Sequence, residues 1–366
     1  MIVSLKIPIN VPIIENEEIN EVRAVLAEKS LTSAANAGGT RVQEFEKLLS
    51  SYVGSKYAVA VNSGTAALQA ALYALDIKNG DEVLLPSFTF VATANSVIST
   101  GAKPVFVDVL PQNYTMDPDD LRKKITKKTK AILPVHLYGN FAYMKEISEI
   151  ANKYHLEVIE DAAQSLGTTY KNKHSGRFSR VGCFSLYAAK VITSGEGGAI
   201  ITDEKQVFEK LRMIRNHGMV HGYDTRIFGL NFRLPEINAA IAKIQMKKLP
   251  QFLKKREKNA KMLSELLYDL DIILPSERDG VKVNWYLYTI STKNRDKLLH
   301  QLNSKGIGAA AYYTIPVNKT PFFNKKMKLP VTEWAASTVL SIPVHPLVTE
   351  NNLHYISKTI HQLVQK

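Results

Sequence analysis

The sequence predicts an α/β protein, with a mostly parallel β-sheet flanked by helices and followed by a smaller α+β unit. Short apolar runs alternate with helix-length segments up to about residue 202, as in parallel sheets with crossover helices. The pattern changes near Pro250, where a long charged helix begins. With 366 residues, the chain exceeds what one small core organises. We therefore expect a large domain over residues 1–249 and a small domain over residues 250–366.

The first part of the chain sets up the parallel sheet. Ligands bind beyond the carboxyl ends of the strands in such sheets, and these ends are predicted at residues 62–65, Pro86, His136 and residues 160–161. In chain order the predicted elements are helices at 17–29 and 42–54, a strand at 57–61, a helix at 65–75, a strand at 81–86, a helix at 90–100, a strand at 104–109, a helix from about 117, a strand at 131–136, a helix at 143–154 and a strand at 156–161.

The second part completes the sheet and forms the smaller unit. A polar, Gly/Ala-rich loop at residues 30–40 separates the two opening helices. The later predicted elements are strands at 183–187 and 197–202, helices at 204–218 and 234–249, a long charged helix from about Pro250, a strand-like run at 284–291, a helix at 295–306, the segment 308–316 and a final helix.

Composition indicates an ordinary globular protein, with 45% hydrophobic and 22% charged residues. The N-terminal stretch is broken by Lys6, Asn10 and two prolines, so it does not read as a signal peptide. No apolar run approaches the roughly 20 residues of a membrane helix. The single cysteine, Cys183, rules out an internal disulfide and is expected to be a buried, inert thiol. We expect a cytoplasmic protein.

The formal net charge of +13 permits anionic partners. The basic residues are dispersed over amphipathic helices and loops, and no zinc-ligand pairs or aromatic-interleaved strand accompany them. A solvated, lysine-rich surface is the simpler interpretation. We therefore expect neither a nucleic-acid nor a membrane partner.

The stretch NSGTAALQAAL, residues 62–72, predicts a strand, a tight turn and an alanine-rich helix. Gly64 allows close backbone approach, and the free N–H groups of the helix start favour an anion. The alternative is an ordinary turn in which Thr65 caps the helix. Glycine-rich dinucleotide and P-loop motifs are absent from the sequence.

Two further positions carry candidate chemistry. Asp161 ends an apolar strand, where its carboxylate can hold a protonated ring nitrogen, or can cap a following helix. Lys190 lies among Phe, Leu, Ala, Val and Ile, where its amine either becomes an uncharged nucleophile or snorkels to water. An anion-binding turn, a strand-end carboxylate and a desolvated lysine are together the three anchors of pyridoxal 5′-phosphate.

A metal site is not expected. His217 and His221 are four residues apart, which suits metal ligation on a helix, but two nearby glycines favour a loop. No glutamate completes an H-E-x-x-H motif.

The chain resembles the DegT/StrS family of sugar aminotransferases, within the aspartate-aminotransferase fold group. The resemblance runs over nearly the whole length. It rests on the ordered series AVAVNSGTAALQAAL, GDEVLLPSFTFVATANSV, GAKPVFVDV, ILPVHLYGN, VIEDAAQSLG, FSLYAAKVITSGEGGAI, RNHG, GLNFRLPEINAAIAKIQ and LSIPVHP.

The resemblance implies a large domain of fold type I with a seven-stranded sheet, and pyridoxal 5′-phosphate as cofactor. Lys190 would form the Schiff base and transfer the proton, and Asp161 would pair with the pyridinium nitrogen. The other implied contacts are Gln164 to the ring hydroxyl, Gly64, Thr65 and Ser185 to the phosphate, Phe90 over the ring, Asn231 to the phosphate in the partner subunit of a homodimer, and Tyr313 and His345 to the substrate.

The activity implied is transfer of an amino group from a donor, glutamate, to a keto sugar carried on a nucleotide, in amino-sugar biosynthesis. Three alternatives stay open: a cyclitol ketone as acceptor, a pyridoxal-dependent dehydration, and a non-enzymatic regulatory or binding protein. Lys190 disfavours dehydration, since that branch of the family has histidine there. The loop at 30–40 is longer than usual and lies where the family approaches the sugar.

Overall fold

A computed structural model describes residues 6–324 and 326–364. The helices in the described part are α1 (Asn16–Glu28), α2 (Thr40–Val53), α3 (Gly64–Ala74), α4 (Ala92–Ser99), α5 (Pro118–Lys124), α6 (Met144–Tyr154), α7 (Lys205–Arg215), α8 (Glu236–Leu267), α9 (Arg295–Ser304), α10 (Pro330–Thr338) and α11 (Glu350–Val364). The strands are β1 (Tyr57–Val61), β2 (Glu82–Pro86), β3 (Lys103–Val107), β4 (Thr129–Ile132), β5 (Glu157–Asp161), β6 (Thr169–Tyr170), β7 (Lys173–His174), β8 (Val181–Ser185), β9 (Gly198–Thr202), β10 (Val281–Lys282), β11 (Tyr288–Ser291) and β12 (Val339–Ile342).

The predicted α/β class and the seven-stranded, mostly parallel sheet are confirmed. The strand order is β1-β9-β8-β5-β4-β2-β3, and only β9 runs against the other six. The carboxyl ends of β1, β2, β5 and β8 therefore reach the same edge of the sheet. These are the ends on which the sequence places its candidate residues.

The sheet is buried on both faces, and β1 shows how. Val59 and Val61 face a core with the alanine-rich helix α3, while Ala58 and Ala60 face a core with α2 and α8. Five of the eleven residues of α3 are alanine, so this helix can approach the sheet closely. That close approach brings the start of α3 to the strand ends.

The C-terminal part contains the antiparallel pair β11–β12 together with α9, α10 and α11. The position at which the sequence pattern changes, Pro250, lies inside the continuous helix α8. Ile7, near the N-terminus, bridges Ile307 of the C-terminal part. The division at residues 249 and 250 remains a prediction. Within residues 6–324 and 326–364, every helix is too short or too polar to cross a membrane.

Candidate active site

A cavity of about 350 Å³ opens at the carboxyl edge of the sheet. Seven of the residues predicted for the site line it together, from the end of β1 through to the segment after β8. Its lining is Ser63, Gly64, Thr65, Leu68, Thr89, Phe90, Ala92, Thr93, Val135, Asp161, Ala163, Gln164, Ser185, Tyr187, Lys190 and Glu196. Residues more than a hundred positions apart in sequence therefore face one space.

The start of α3 forms the anion-binding end of this cavity. Ser63, rather than Thr65, caps the helix: its Oγ accepts a hydrogen bond from the Ala66 N–H at 3.0 Å. The N–H groups of Gly64 and Thr65 belong to the first turn and have no carbonyl partner within the helix. A Cβ on Gly64 would lie 2.8 Å from the Cβ of Ser185, so glycine lets β8 approach the turn. This is a cradle for a phosphate group.

Asp161 ends β5 with a buried carboxylate. Its Oδ2 accepts a hydrogen bond from Thr93 Oγ1 at 2.9 Å, and its Oδ1 accepts one from the Ala163 N–H at 3.2 Å. Burial raises the pKa of this carboxyl, while those hydrogen bonds and the charge of Lys190 oppose the rise. The segment after Asp161 is a turn rather than a helix, so the carboxylate is not a helix cap. A cation next to it would favour its ionised form.

Lys190 follows β8 in a turn, where its N–H donates to the Tyr187 carbonyl at 2.9 Å. Burial lowers the pKa of its amine to about 8 from the ordinary 10.5, and the negative charge of Asp161 opposes the shift. The Nζ atom lies 4.8 Å from the centroid of the Tyr286 ring. The amine therefore sits in the cavity instead of snorkelling into solvent.

Gln164 and Phe90 belong to one wall of the cavity, and Tyr313 contacts both of them. The Gln164 side chain accepts a hydrogen bond from the Tyr138 N–H at 2.7 Å and donates one to the Tyr313 hydroxyl at 3.3 Å. The Phe90 ring, 54% exposed at the cavity mouth, lies 5.9 Å from that of Tyr313. Tyr313 is thus placed beside the predicted cofactor residues.

Three predicted site residues lie outside the cavity lining of their own chain, namely Tyr313, Asn231 and His345. Asn231 is exposed, in an extended stretch whose backbone carbonyl accepts a hydrogen bond from Asn62 Nδ2 at 3.2 Å. His345 is buried in the C-terminal part, where its Nε2 faces the Pro8 carbonyl at 3.1 Å. Their predicted roles stay predictions.

The two histidines weighed as metal ligands do not lie on a helix. His217 and His221 both fall in the turn after α7. Within the described residues, no group of three or more His, Cys, Asp or Glu side chains is arranged to hold a metal ion. Cys183 is buried in β8, and burial raises the pKa of its thiol well above the ordinary value.

Sequence reasoning missed several residues that shape the site. The Thr93 hydroxyl donates a hydrogen bond to the Asp161 carboxylate, and the Tyr138 N–H donates one to the Gln164 side chain. The Tyr286 ring lies next to the Lys190 amine. The hydroxyl of Tyr138 also bonds the Tyr312 carbonyl, which ties the Tyr312–Tyr313 segment to the wall. None of these residues has a sequence spacing that signals its contact.

The donor set of the cavity fits pyridoxal 5′-phosphate. The cradle at Gly64 suits the phosphate, the buried Asp161 carboxylate suits a protonated pyridine nitrogen, and the Lys190 amine suits the aldehyde. All three groups face one cavity of about 350 Å³, within the range of small-molecule sites.

Comparison with known proteins gives the same answer. An aminotransferase from Pseudomonas aeruginosa, UDP-2-acetamido-2-deoxy-3-oxo-D-glucuronate aminotransferase, is 40% identical over 87% of this chain and 89% of its own length. A pleiotropic regulatory protein from Geobacillus stearothermophilus is 38% identical over 88% of this chain and 89% of its own. The crystal structure of DesV from S. venezuelae with a ketimine intermediate superposes with a TM-score of 0.92 at 33% identity, covering 98% of this chain and 99% of that one. The family model for DegT/DnrJ/EryC1/StrS aminotransferases matches residues 12–361, and the chain belongs to this family.

Proposed function

We propose that this protein transfers an amino group from L-glutamate to the keto group of a nucleotide-linked sugar. The observation that carries the proposal is the placement of Lys190: a buried amine with a pKa of about 8 shares one cavity with Asp161 and the start of α3. A lysine that snorkelled would extend its amine into solvent and away from this cavity.

Pyridoxal 5′-phosphate is the cofactor, and when bound it supplies an electron sink for the carbon that bears the nitrogen. The chain's own residues bind and orient the cofactor. The N–H groups at the start of α3 and the Ser185 hydroxyl would hold the phosphate, Asp161 would keep the ring nitrogen protonated, and Gln164 would contact the ring hydroxyl. Phe90 would cover one face of the ring.

Lys190 has the task of moving the proton. Once its amine is free, it accepts the proton from the substrate carbon that carries the nitrogen and returns a proton in the second half of the reaction. A base with a pKa near 8 suits this task, because it takes up and releases protons close to neutral pH.

A sugar nucleotide as acceptor is supported by the relatives and by the mouth of the cavity. The P. aeruginosa relative is named for a UDP-linked 3-oxo sugar. Phe90 and Tyr187 are half-exposed at the mouth and offer apolar surfaces on which a sugar or base can stack. The net charge of +13 is compatible with an anionic substrate.

Assembly and location are part of the same proposal. Asn231 lies outside the cavity of its own chain, which suits a homodimer in which it reaches the partner's phosphate. His345 is proposed with Tyr313 as a substrate residue on the resemblance alone. A cytoplasmic location is supported by a single, buried cysteine.

One second function is favoured by a specific observation: a relative that is 38% identical is named a pleiotropic regulatory protein. Regulation alone does not require a desolvated lysine, a buried carboxylate and an anion cradle in one cavity. We therefore rank the enzyme first.

The experiment incubates the purified protein with pyridoxal 5′-phosphate, L-glutamate and one of three acceptors: a UDP-linked 3-keto sugar, a dTDP-linked 3-keto sugar or a cyclitol ketone. Mass spectrometry then follows the exchange of the keto oxygen for an amino group, with 2-oxoglutarate measured in parallel. Amination of a nucleotide sugar is the expected result. If glutamate is converted but only a cyclitol ketone accepts the amino group, the sugar assignment is wrong. If glutamate is not converted, the regulatory function takes its place.

A further inference from the structure

The environment of the Lys190 amine contains one feature that the proposed chemistry does not explain, namely an aromatic ring. Nζ lies 4.8 Å from the centroid of Tyr286. A cation within about 6 Å of a ring face is attracted by the negative charge of that face. The ring comes from the strand-like segment before β11, almost a hundred residues after the lysine.

The ring is held in place by the backbone on both sides of it. Arg256, buried in α8, donates to the carbonyls of Trp285 at 3.2 Å and of Tyr286 at 3.1 Å. The Tyr286 N–H donates to Asn284 Oδ1 at 2.9 Å, and Asn284 Nδ2 donates to the Gln164 carbonyl at 2.9 Å. Tyr286 is thus fixed relative to the segment that follows Asp161.

Within the described part of the chain, Arg256 forms no ion pair with a carboxylate. The residue is 2% exposed, and its guanidinium donates hydrogen bonds to two backbone carbonyls and to the Asn10 side-chain oxygen, the last at 3.0 Å. Burial lowers the pKa of Arg256 to about 10. A buried arginine whose N–H groups donate to backbone carbonyls fixes that backbone in place, here at residues 285 and 286.

Little space remains between the ring and the lysine. The pocket bounded by Lys190, Tyr286, Val191 and Ile192 has a volume of about 10 Å³, which is room for no more than one water molecule. On the side that faces the ring, the amine therefore has no room for a hydration shell.

We propose that Tyr286 is a positioning residue for Lys190. The face of the Tyr286 ring holds the protonated amine in the cavity, and hydrogen bonds from Arg256 fix the backbone of Tyr286. This inference rests on the proposed role of Lys190 as the reacting amine. In the reaction, the ring keeps the amine beside the substrate carbon during the interval in which it is free. A flexible lysine stem would otherwise sample many rotamers.

The proposal predicts a specific electrostatic effect. An attractive ring face stabilises the ammonium, so it opposes the effect of burial on the amine. The other titratable groups around the amine and the ring must be kept constant in the test. Asp161 acts on the amine, Glu196 lies in the same cavity lining, and the groups coupled to Tyr286 are Arg256, Tyr187, Tyr312 and Tyr313.

The test measures the pKa of Lys190 in the cofactor-free protein. Trace acetylation with acetic anhydride over a range of pH, read by peptide mass spectrometry, gives the titration of each lysine amine separately. The variants are Tyr286→Leu, which removes the ring, and Tyr286→Phe, which keeps it. Tyr288→Phe is the control, since Tyr288 is a buried tyrosine two residues along whose hydroxyl contacts Ser264 instead.

We expect Tyr286→Leu to lower the pKa of Lys190 by about half a unit to one unit. Tyr286→Phe and Tyr288→Phe should leave it near the wild-type value. A pKa that rises in Tyr286→Leu would show that the ring only excludes water, and an unchanged pKa would show no attraction; either result overturns the proposal. If Tyr286→Leu does not fold, Tyr286→Met serves in its place. Binding of pyridoxal 5′-phosphate by the wild type tests the proposed function separately, since it does not depend on Tyr286.

Discussion

At the scale of single residues, Lys190 shows how burial makes an amine more available in its uncharged form. A lysine with a pKa of about 8 has roughly a tenth of its amines unprotonated at pH 7, about 300-fold more than one with the ordinary pKa of 10.5. The Asp161 charge and the Tyr286 ring both favour the ammonium, so they prevent burial from removing the proton altogether. The amine remains available as both an acid and a base.

His345 provides a test of whether a buried histidine is structural or binds substrate. Burial lowers the pKa of this imidazole to about 4 from 6.5. The unfolded state therefore binds the proton more readily, so stability falls as the pH drops from 6.5 to 4. The shift corresponds to at most about 3 kcal/mol. We expect His345→Gln to lessen this acid-dependent loss, measured as the free energy of unfolding by urea at several pH values.

The matched control is His354→Gln, at an exposed position on α11, which should leave the acid-dependent loss unchanged. The Michaelis constant for the sugar nucleotide separates the two roles of His345. An increase of tenfold or more in His345→Gln, with no change in acid stability, would establish a substrate role.

Some residue roles could be predicted from the sequence and others could not. Lys190 and Asp161 stand out because a charge within an apolar run is rare and needs a reason. Thr93 and Tyr286 gave no such signal, since threonine and tyrosine are common in helices and strands. Their roles arise from contacts between distant segments.

At the scale of elements, the junction of β1, α3 and β8 is the part of the fold that we propose binds the cofactor phosphate. Gly64→Ala would place a Cβ 2.8 Å from that of Ser185. Overpacking of this kind costs about 1–3 kcal/mol, so we expect pyridoxal 5′-phosphate to bind at least about fivefold more weakly. Equilibrium dialysis measures the dissociation constant.

Gly80→Ala is the control for this prediction. Its Cβ would meet no atom within 4 Å, although its φ of +94° makes alanine unfavourable there. The control should lose stability and keep its affinity for the cofactor. Unchanged affinity in Gly64→Ala would mean that the turn does not hold the phosphate.

The long elements were predictable, and the shortest were not. The strand predicted at residues 57–61 has those bounds in the structure, because five apolar residues lie between clear turn signals. The strands β6, β7 and β10 have two residues each, too few to show any periodicity. Helix α10 was missed although Pro330 stands at its first position, a recognised signal for a helix start.

At the scale of the whole molecule, the proposal includes a second copy of the chain. Asn231 is exposed and lies outside the cavity lining of its own chain, and we propose that it reaches the phosphate bound in a partner subunit. We expect Asn231→Ala to weaken pyridoxal 5′-phosphate binding about tenfold while the dimer persists, because one hydrogen bond to a charged group contributes about 1.5–3 kcal/mol. Sedimentation velocity and a cofactor titration measure the two quantities.

Asn351→Ala, an exposed substitution at the start of α11, is the matched control and should change neither quantity. A monomeric wild-type protein that binds the cofactor with full affinity would refute the shared site. The homodimer could be predicted only from the family resemblance, because no local sequence pattern indicates which surface contacts a second subunit.

The central claim is that Lys190 is the amine that holds pyridoxal 5′-phosphate and that glutamate replaces it. The most direct measurement is the visible absorbance of the protein with pyridoxal 5′-phosphate, before and after addition of L-glutamate. We compare the wild type with Lys190→Ala and with the exposed control Lys261→Ala. We predict that the wild type and the control develop a yellow band that bleaches with glutamate, and that Lys190→Ala does neither. A wild type without the band, or a Lys190→Ala variant with full glutamate turnover, would contradict the account.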